Sequence, residues 1–231
     1  MNHLRHIFSV ALVTAGLVLF ADVGITLVYQ EPLSSIYASI KQGQAADQLS
    51  EVEEEYPTAA DRRAIARVKG RKRQIAELAR RFARHADTGE AIGRILAPDM
   101  DGLSAVVVQG TDTASLEKGP GHYPETPFPG QGGTVGIAGH RTTYLAPFNS
   151  IDSMEQGDRI VLEMPYATLV YRVQKTKIVD PSDVDVVRGV GYERLVLSAC
   201  HPLYSAAQRY IVFAKLVGER LTAGHSAEAR A

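Results

Sequence analysis

Residues 193–217 read ERLVLSACHPLYSAAQRYIVFAKLV, two short apolar segments separated by a turn that contains Pro202. Short runs rich in Val, Leu, Ile and aromatic residues, bounded by Gly, Pro or Asp, are typical of β-strands. Similar segments precede this one: IGRIL (92–96), SAVVVQG (104–110), TVGIAGH (134–140), DRIVLEM (158–164) and LVYRVQKTKIV (169–179). Seven or eight strands in about 130 residues predict an all-β body, either a closed barrel or a sandwich. The Gly-rich segment 119–133 lacks a phosphate-binding fingerprint, and we expect it to form turns and loop.

The N-terminal part of the chain has a different composition. Residues 7–29 are apolar except for Ser, Thr, Gly and Asp22. A helix of that length reaches about 35 Å, enough to cross a hydrocarbon core of about 30 Å. A signal peptide is the alternative, but its apolar core is usually only about 7 to 15 residues long. Because Arg5 precedes the segment and the next basic residue is Lys41, we predict a cytoplasmic stub (1–6), a single transmembrane anchor and an extracellular remainder.

Residues 30–88 are charged and are predicted to be an extracellular helical linker. The acidic run EVEEE at 51–55 is followed by ten basic residues between positions 62 and 84, with apolar residues at three- and four-residue intervals. This periodicity predicts one or two amphipathic helices. We expect a spacer whose basic face either binds anionic lipid or wall polymer, or is simply solvated. The body then covers residues 89–218, and residues 219–231 are a flexible tail.

The composition excludes several classes of function. The chain has 231 residues, with 25 Lys plus Arg against 26 Asp plus Glu, and this balance disfavours nucleic-acid binding. Its single cysteine, Cys200, excludes an intrachain disulfide and any site with several thiolates. A zinc site built from Cys200, His140 and His201 would lack a second thiolate and the usual spacing. We therefore expect no metal and no other cofactor.

Three residues with complementary chemistry stand at the ends of predicted strands: Cys200, His140 and Arg209. A thiol that attacks an amide needs its proton removed, a proton for the leaving amine, and a donor for the oxyanion. An imidazole can serve the first two needs near neutral pH, and a guanidinium can serve the third. His201 is disfavoured as the base, because adjacent residues of an extended segment point apart. The strand context alone also allows Cys200 to be an inert core residue.

The motifs IAGHRTTY (137–144) and LVLSACHP (195–202), with the strand QRYIV (208–212), resemble those of sortases. These enzymes are membrane-anchored cysteine transpeptidases of Gram-positive bacteria, and the similarity is greatest to the actinobacterial class E enzymes. The resemblance covers nearly all of residues 89–218. It implies a closed eight-stranded sortase-type β-barrel with short helices and long loops. It also implies that Cys200 is the nucleophile, His140 the general acid and base, and Arg209 the group that stabilises the oxyanion and the substrate backbone.

The resemblance further implies a reaction and its partners. The family cleaves a C-terminal sorting signal between Thr and Gly, holds the acyl part as a thioester, and transfers it to an amine. For this chain the implied signal resembles Leu-Ala-X-Thr-Gly. The implied partners are secreted proteins that carry this signal, a peptidoglycan precursor that supplies the amine, and the membrane.

The chain departs from the family's usual Thr-Leu-x-Thr-Cys signature, because Val196 and Ala199 replace the two threonines. We expect an altered rate or signal preference, not inactivity. The predicted substrate-binding residues are His122, Tyr144, Ser198 and Ala199. Alternatively, His122 packs on Tyr123, and Tyr144 caps the barrel.

Other functions stay open at this point. A papain-like wall peptidase has its Cys before its His in the chain, the reverse of the order here. A cysteine L,D-transpeptidase has a Ser-His-Gly-Cys-x-Arg run, which is absent. A membrane-anchored surface binding module with a structural cysteine is the main non-enzymatic alternative, and it predicts that replacement of Cys200 by Ala leaves function unchanged.

Overall fold

The computed structural model describes residues 2–29 and 32–222, with side chains for residues 5–21 and 34–222. The N-terminal helices are α1 (Asn2–Tyr29), α2 (Pro32–Glu55), α3 (Ala59–Ile65) and α4 (Arg71–Phe82). The rest of the described chain consists of β1 (Ala91–Ala97), β2 (Leu103–Gln109), α5 (Thr113–Leu116), β3 (Gly121–His122), β4 (Thr134–Ala138), β5 (Arg159–Met164), β6 (Ala167–Val179), β7 (Arg194–His201) and β8 (Gln208–Leu221). Two short 3-10 helices, Ile151–Ser153 and Val184–Val187, lie in the connections.

The strands close into a barrel in the order β1-β2-β3-β4-β7-β8-β6-β5. The pairs β2/β3 and β4/β7 are parallel, whereas the other neighbours are antiparallel. Closure pairs both edges of every strand, which removes the exposed edges that an open sheet would leave. The predicted closed eight-stranded barrel is therefore confirmed, and the sandwich alternative is excluded.

One additional strand and one strand end differ from the sequence-based prediction. The segment 119–133 contains β3, which pairs with β2 through Gln109 and with β4 through Ile137. Two residues are too few to produce an alternating pattern, so only tertiary pairing reveals this strand. At the other end, β8 continues to Leu221, so the predicted tail begins later than residue 219. Residues 223–231 lie outside the described part of the chain.

The linker contributes to the core of the body. Helix α4 buries Ile75, Leu78 and Phe82 in the same apolar cluster as the inward-facing barrel residues. The Phe82 ring lies 5.5 Å from that of Tyr166 and 6.0 Å from that of Phe128, measured between centroids. Over the basic segment 62–84 the structure has two helices, α3 and α4, as the apolar periodicity predicts, and α2 precedes them. Because its apolar stripe is buried against the barrel, α4 is part of the body and not only a spacer.

Glutamine side chains attach α2 to the barrel. Gln42 accepts a hydrogen bond from the backbone N–H of Val106 and donates to its carbonyl, at 2.8 and 3.1 Å. Gln48 accepts from the backbone N–H of Ala91 at 3.0 Å. An amide side chain can donate and accept at once, so it can satisfy backbone groups that the strands leave unpaired. Leu49 is buried beside these contacts.

Among the helices that the structure describes, none has both the length and the hydropathy needed to cross a membrane. The anchor predicted for residues 7–29 and the cytoplasmic stub before it therefore stay predictions.

Candidate active site

The outer face of β7 carries the predicted nucleophile. Leu197 and Ala199 lie in the barrel core, whereas Val196 belongs to a separate apolar cluster outside it. Because successive side chains of a strand point to opposite faces, Ser198 and Cys200 share the outer face with Val196. Cys200 is half-buried and free of any disulfide.

Arg209 lies beside Cys200 on the neighbouring strand. In the antiparallel register of β7 and β8, these two residues are direct partners. Directly opposed residues have Cβ atoms about 4.5–5.5 Å apart, so both side chains leave the sheet at the same point. Arg209 Nη1 donates to the carbonyls of Ala206 and Gln208, at 2.9 and 3.0 Å, and these bonds hold the guanidinium near the end of β8.

His140 reaches the same end of the barrel from the other side. Strand β4 runs parallel to β7 with Ala138 opposite Ser198, and the N–H of Gly139 donates to the Ser198 carbonyl at 3.0 Å. His140 is two residues beyond Ala138, and Cys200 is two residues beyond Ser198. The structure therefore brings His140, Cys200 and Arg209 to the ends of three adjacent strands.

The surroundings of His140 favour its neutral form. Burial lowers the pKa of His140 below its ordinary value, and the nearby carboxylate of Glu117 partly opposes this by raising it. Its Nε2 atom is buried without a hydrogen-bond partner among the described residues. The ring of Tyr144 lies 5.1 Å away between centroids, and the Tyr144 hydroxyl donates to Glu117 at 3.0 Å. A neutral imidazole at this position can accept a proton from a thiol.

A groove of about 370 Å³ extends from Arg209 along the outer face of β7. Its floor includes Ser198, and one wall is the 3-10 helix Val184–Val187 between β6 and β7. Tyr123 and Glu125 also line the groove. A mostly apolar cleft with a few polar groups is typical of ligand-binding sites.

A buried arginine holds the 3-10 wall in place. Arg194 Nη2 donates to the carbonyls of Val186 and Arg188, at 2.8 and 2.9 Å, and the guanidinium lies 4.8 Å from the Phe213 ring centroid. The hydroxyl of Thr134 also donates to the Arg188 carbonyl, at 2.9 Å. These bonds satisfy carbonyls at the end of the short helix and so define the shape of the groove.

Two of the predicted substrate-binding residues do not reach the groove. Ala199 is 3% exposed and faces the core, because it lies on the opposite face of β7 from Cys200. His122 is fully buried in β3, where its Nδ1 contacts Gln109 Oε1 at 2.8 Å and its Nε2 lies 3.2 Å from the Pro127 carbonyl. Burial also lowers the pKa of His122 to about 4. Both expectations are therefore corrected, because neither side chain lines the groove.

The other two predicted substrate-binding residues, Ser198 and Tyr144, do lie at the site. Ser198 lines the groove, and Tyr144 lies over His140 in the loop that follows β4. The sequence shows no sign of Glu117, because it acts on residues distant in the chain, or of Arg194, because its carbonyl partners belong to an irregular loop. A basic residue at the start of a strand after a long loop, as at Arg194, is the weak signal that was available.

Known proteins resemble this chain over the barrel. A family model described as the Sortase domain matches residues 95–217. Sortase D of Bacillus subtilis (strain 168) is 35% identical over 135 residues, which cover 57% of this chain and 66% of that protein. Sortase SrtE1 of Streptomyces coelicolor is 30% identical over 149 residues, covering 58% of this chain and 42% of that protein. The match thus spans less than two thirds of the length of each of these relatives.

Solved structures of sortases also superpose on this chain. The SrtF sortase from Corynebacterium diphtheriae superposes with a TM-score of 0.57 at 28% identity, covering 62% of this chain and 93% of that one. Sortase E1 from Streptomyces coelicolor, solved with a tripeptide in its active site, gives 0.56 at 29% identity, covering 61% and 96%.

Proposed function

The chain belongs to the sortase family, and from this premise we propose that it is a cysteine transpeptidase that acts on a C-terminal sorting signal. The observation that carries the proposal is the convergence of a thiol, an imidazole and a guanidinium at the ends of three adjacent strands, where the guanidinium also lines an outer groove. Cys200 and Arg209 are direct strand partners, and His140 follows the end of the parallel strand β4 on the other side of β7.

In the first half of the reaction, the sulfur of Cys200 attacks the carbonyl carbon of the scissile peptide bond. Its proton goes to His140, whose buried and neutral ring is suited to accept it. Arg209 donates to the oxygen that becomes an oxyanion. His140 then protonates the leaving amine, the C–N bond breaks, and a thioester remains on Cys200.

In the second half, an acceptor amine attacks the thioester carbonyl. His140 takes a proton from the amine, and the new C–N bond forms as the sulfur leaves as a thiolate. The proton on His140 returns to the sulfur, so the protein ends in its starting state. The same residue acts as base and acid in turn, as microscopic reversibility requires.

For the substrate we propose a Leu-Ala-X-Thr-Gly-like signal on secreted proteins, with a peptidoglycan precursor as acceptor. The apolar wall formed by Val184, Val186 and Val187 supports an apolar residue upstream of the scissile bond. Val196 lines the groove with a buried side chain, whereas Ala199 faces the barrel core on the opposite side of β7. We expect Val196, which lacks a hydroxyl in the groove, to alter signal preference, and Ala199 to alter the rate through packing under the nucleophile.

We also propose that residues 7–29 anchor the chain, with the N-terminus in the cytoplasm and the barrel outside the cell. Support comes from the apolar sequence and from side chains of α1 that the body leaves uncovered: Phe8, Leu17 and Phe20 are 71%, 66% and 81% exposed. Protease added to intact cells that express the full chain should digest the barrel and spare an N-terminal tag. Digestion of the tag with a protected barrel would refute this orientation.

The enzymatic proposal is tested with the full chain in detergent and a fluorogenic peptide that contains Leu-Ala-X-Thr-Gly, with and without a small primary amine. The wild type should cleave the peptide between Thr and Gly and form the amine adduct, and mass spectrometry should detect one acyl group on Cys200. Cys200→Ala should have no activity, while Arg80→Met, an exposed change on α4, should match the wild type. Absence of cleavage by the wild type, or equal cleavage by Cys200→Ala, would overturn the proposal in favour of a binding module.

A further inference from the structure

The residues that directly follow the three proposed catalytic residues, Arg141, His201 and Tyr210, form a cluster of their own. Arg141 Nη1 lies 3.0 Å from His201 Nδ1, and its guanidinium carbon lies 5.9 Å from the Tyr210 ring centroid. The rings of His201 and Tyr210 are 5.8 Å apart between centroids. Because side chains alternate along β7 and β8, this cluster lies behind the barrel wall, on the other side from the groove.

Arg141 is the centre of this cluster, and its side chain is only 2% exposed. Each of its three nitrogens is engaged: Nε donates to the Asn149 carbonyl at 3.2 Å, Nη1 contacts His201, and Nη2 forms an ion pair with Asp152. The Asn149 side chain in turn donates to the Arg141 carbonyl at 2.8 Å. One planar group therefore ties the turn after His140 to the end of β7.

The direction of the hydrogen bond between Arg141 and His201 is determined by the arginine. A guanidinium can only donate, so His201 Nδ1 must accept, and the proton of the neutral ring is on Nε2. An ammonium group could not replace this arrangement, because the three bonds leave Arg141 in the fixed directions of a planar fork. The network is thus specific for arginine at position 141 and for an acceptor at the Nδ1 position of residue 201.

We propose that Arg141 is a positioning residue that sets the separation of His140 and Cys200. Arg141 is joined to His140, and His201 to Cys200, by a single peptide unit, so consecutive Cα atoms are about 3.8 Å apart. A displacement of Arg141 relative to His201 therefore also moves His140 relative to Cys200. Misplacement of reacting groups by about 1 Å can cost about 100-fold in rate. The inference rests on the proposed function for the roles of His140 and Cys200.

The kinetic test compares Arg141→Met, His201→Ala and His201→Asn in the full chain. Arg141→Met should lower kcat by roughly 10- to 100-fold, with KM changed by less than about 2-fold, because the groove is untouched. His201→Ala should show a similar but smaller loss, whereas His201→Asn should keep most of the activity, since its Oδ1 can accept the same bond. The Arg141→Met/His201→Ala double variant should be no worse than Arg141→Met alone. Arg80→Met serves as the matched control, since it removes an exposed arginine from an ion pair.

A second readout does not depend on the substrate. The rate at which iodoacetamide alkylates Cys200, measured against pH, reports how far His140 assists the loss of the thiol proton. Arg141→Met and His201→Ala should shift this profile toward that of a free thiol, and His201→Asn should not. A wild type that fails to cleave any sorting peptide would refute the proposed function, yet the alkylation profiles would still decide the role of Arg141.

Two outcomes would overturn the inference. One is an Arg141→Met variant with the wild-type kcat and alkylation profile. The other is His201→Asn as impaired as His201→Ala, which would show that the acceptor is irrelevant. Thermal unfolding of each variant identifies a loss of fold, and if Arg141→Met does not fold, the two His201 variants decide the question.

Discussion

Cys200 and Arg209 face each other across β7 and β8 as direct partners in an antiparallel register. The turn between them keeps the two residues adjacent in space although they are nine positions apart in the chain. A register shift of one residue would send one of the two side chains to the barrel interior. The pairing of these strands therefore decides whether a thiol and a permanent cation meet.

Arg209→Lys should lose most of the proposed transpeptidase activity, with kcat lower by about 100- to 1,000-fold, because an ammonium cannot reproduce the donor geometry at the oxyanion. Steady-state cleavage of the fluorogenic peptide measures this loss. The matched control is Lys215→Arg on the same strand, which should retain wild-type kinetics. An Arg209→Lys enzyme with at least half of the wild-type kcat would contradict the assigned role.

Glu117→Gln should lower the pKa of His140 further. The carboxylate of Glu117 now raises that pKa against the effect of burial, so removal of its charge destabilises the imidazolium. NMR titration of the His140 ring measures the shift. Glu125→Gln, whose charge acts on His122 instead, should leave the His140 titration unchanged. An unchanged or higher His140 pKa in Glu117→Gln would refute the electrostatic interpretation.

The burial of His122 predicts a loss of stability in acid. Its pKa falls from 6.5 to about 4 in the folded protein, so below pH 6.5 the unfolded chain takes up a proton that the folded chain does not. The free energy of unfolding should decrease by about 3 kcal/mol between pH 7 and pH 4 from this group alone. Urea unfolding at several pH values should show that His122→Gln lacks this component. Equal pH dependence of the two proteins would contradict it.

Phe82→Ala tests whether the linker belongs to the body. Removal of a buried aromatic side chain should lower the free energy of unfolding by about 3–5 kcal/mol. Arg73→Ala, at an exposed position of the same helix, should change it by less than about 0.5 kcal/mol. Denaturant titration distinguishes the two. If α4 were only a spacer, both variants would unfold like the wild type.

Arg194→Ala should weaken peptide binding and leave the chemical step nearly intact. Loss of the bonds to Val186 and Arg188 frees the 3-10 wall of the groove, so KM should rise several-fold while kcat stays within about 2-fold. The control is Lys215→Ala, which removes a cation near Tyr192 without touching the wall carbonyls. A fall in kcat without any change in KM would show that Arg194 acts on the catalytic residues instead.

Much of the barrel was predictable because strands leave a local signature. Seven of its strands have apolar runs long enough to show it, whereas Gly121 and His122 form a strand only because Gln109 and Ile137 pair with them. The same limit explains the error on His122. A histidine in a Gly-rich segment is normally expected at the surface, and only tertiary contacts place His122 inside the barrel wall.

The amino-acid sequence by itself determined the alternation of apolar runs, the family motifs, and the identity of the thiol, imidazole and guanidinium at strand ends. The tertiary structure alone decided which strands are neighbours and which side of β7 faces the groove. It also decided that α4 packs as part of the core. The physical reason is that chemistry and periodicity are properties of short segments. Register and burial depend on contacts between residues far apart in the chain, such as Arg141 with His201 and Phe82 with Tyr166.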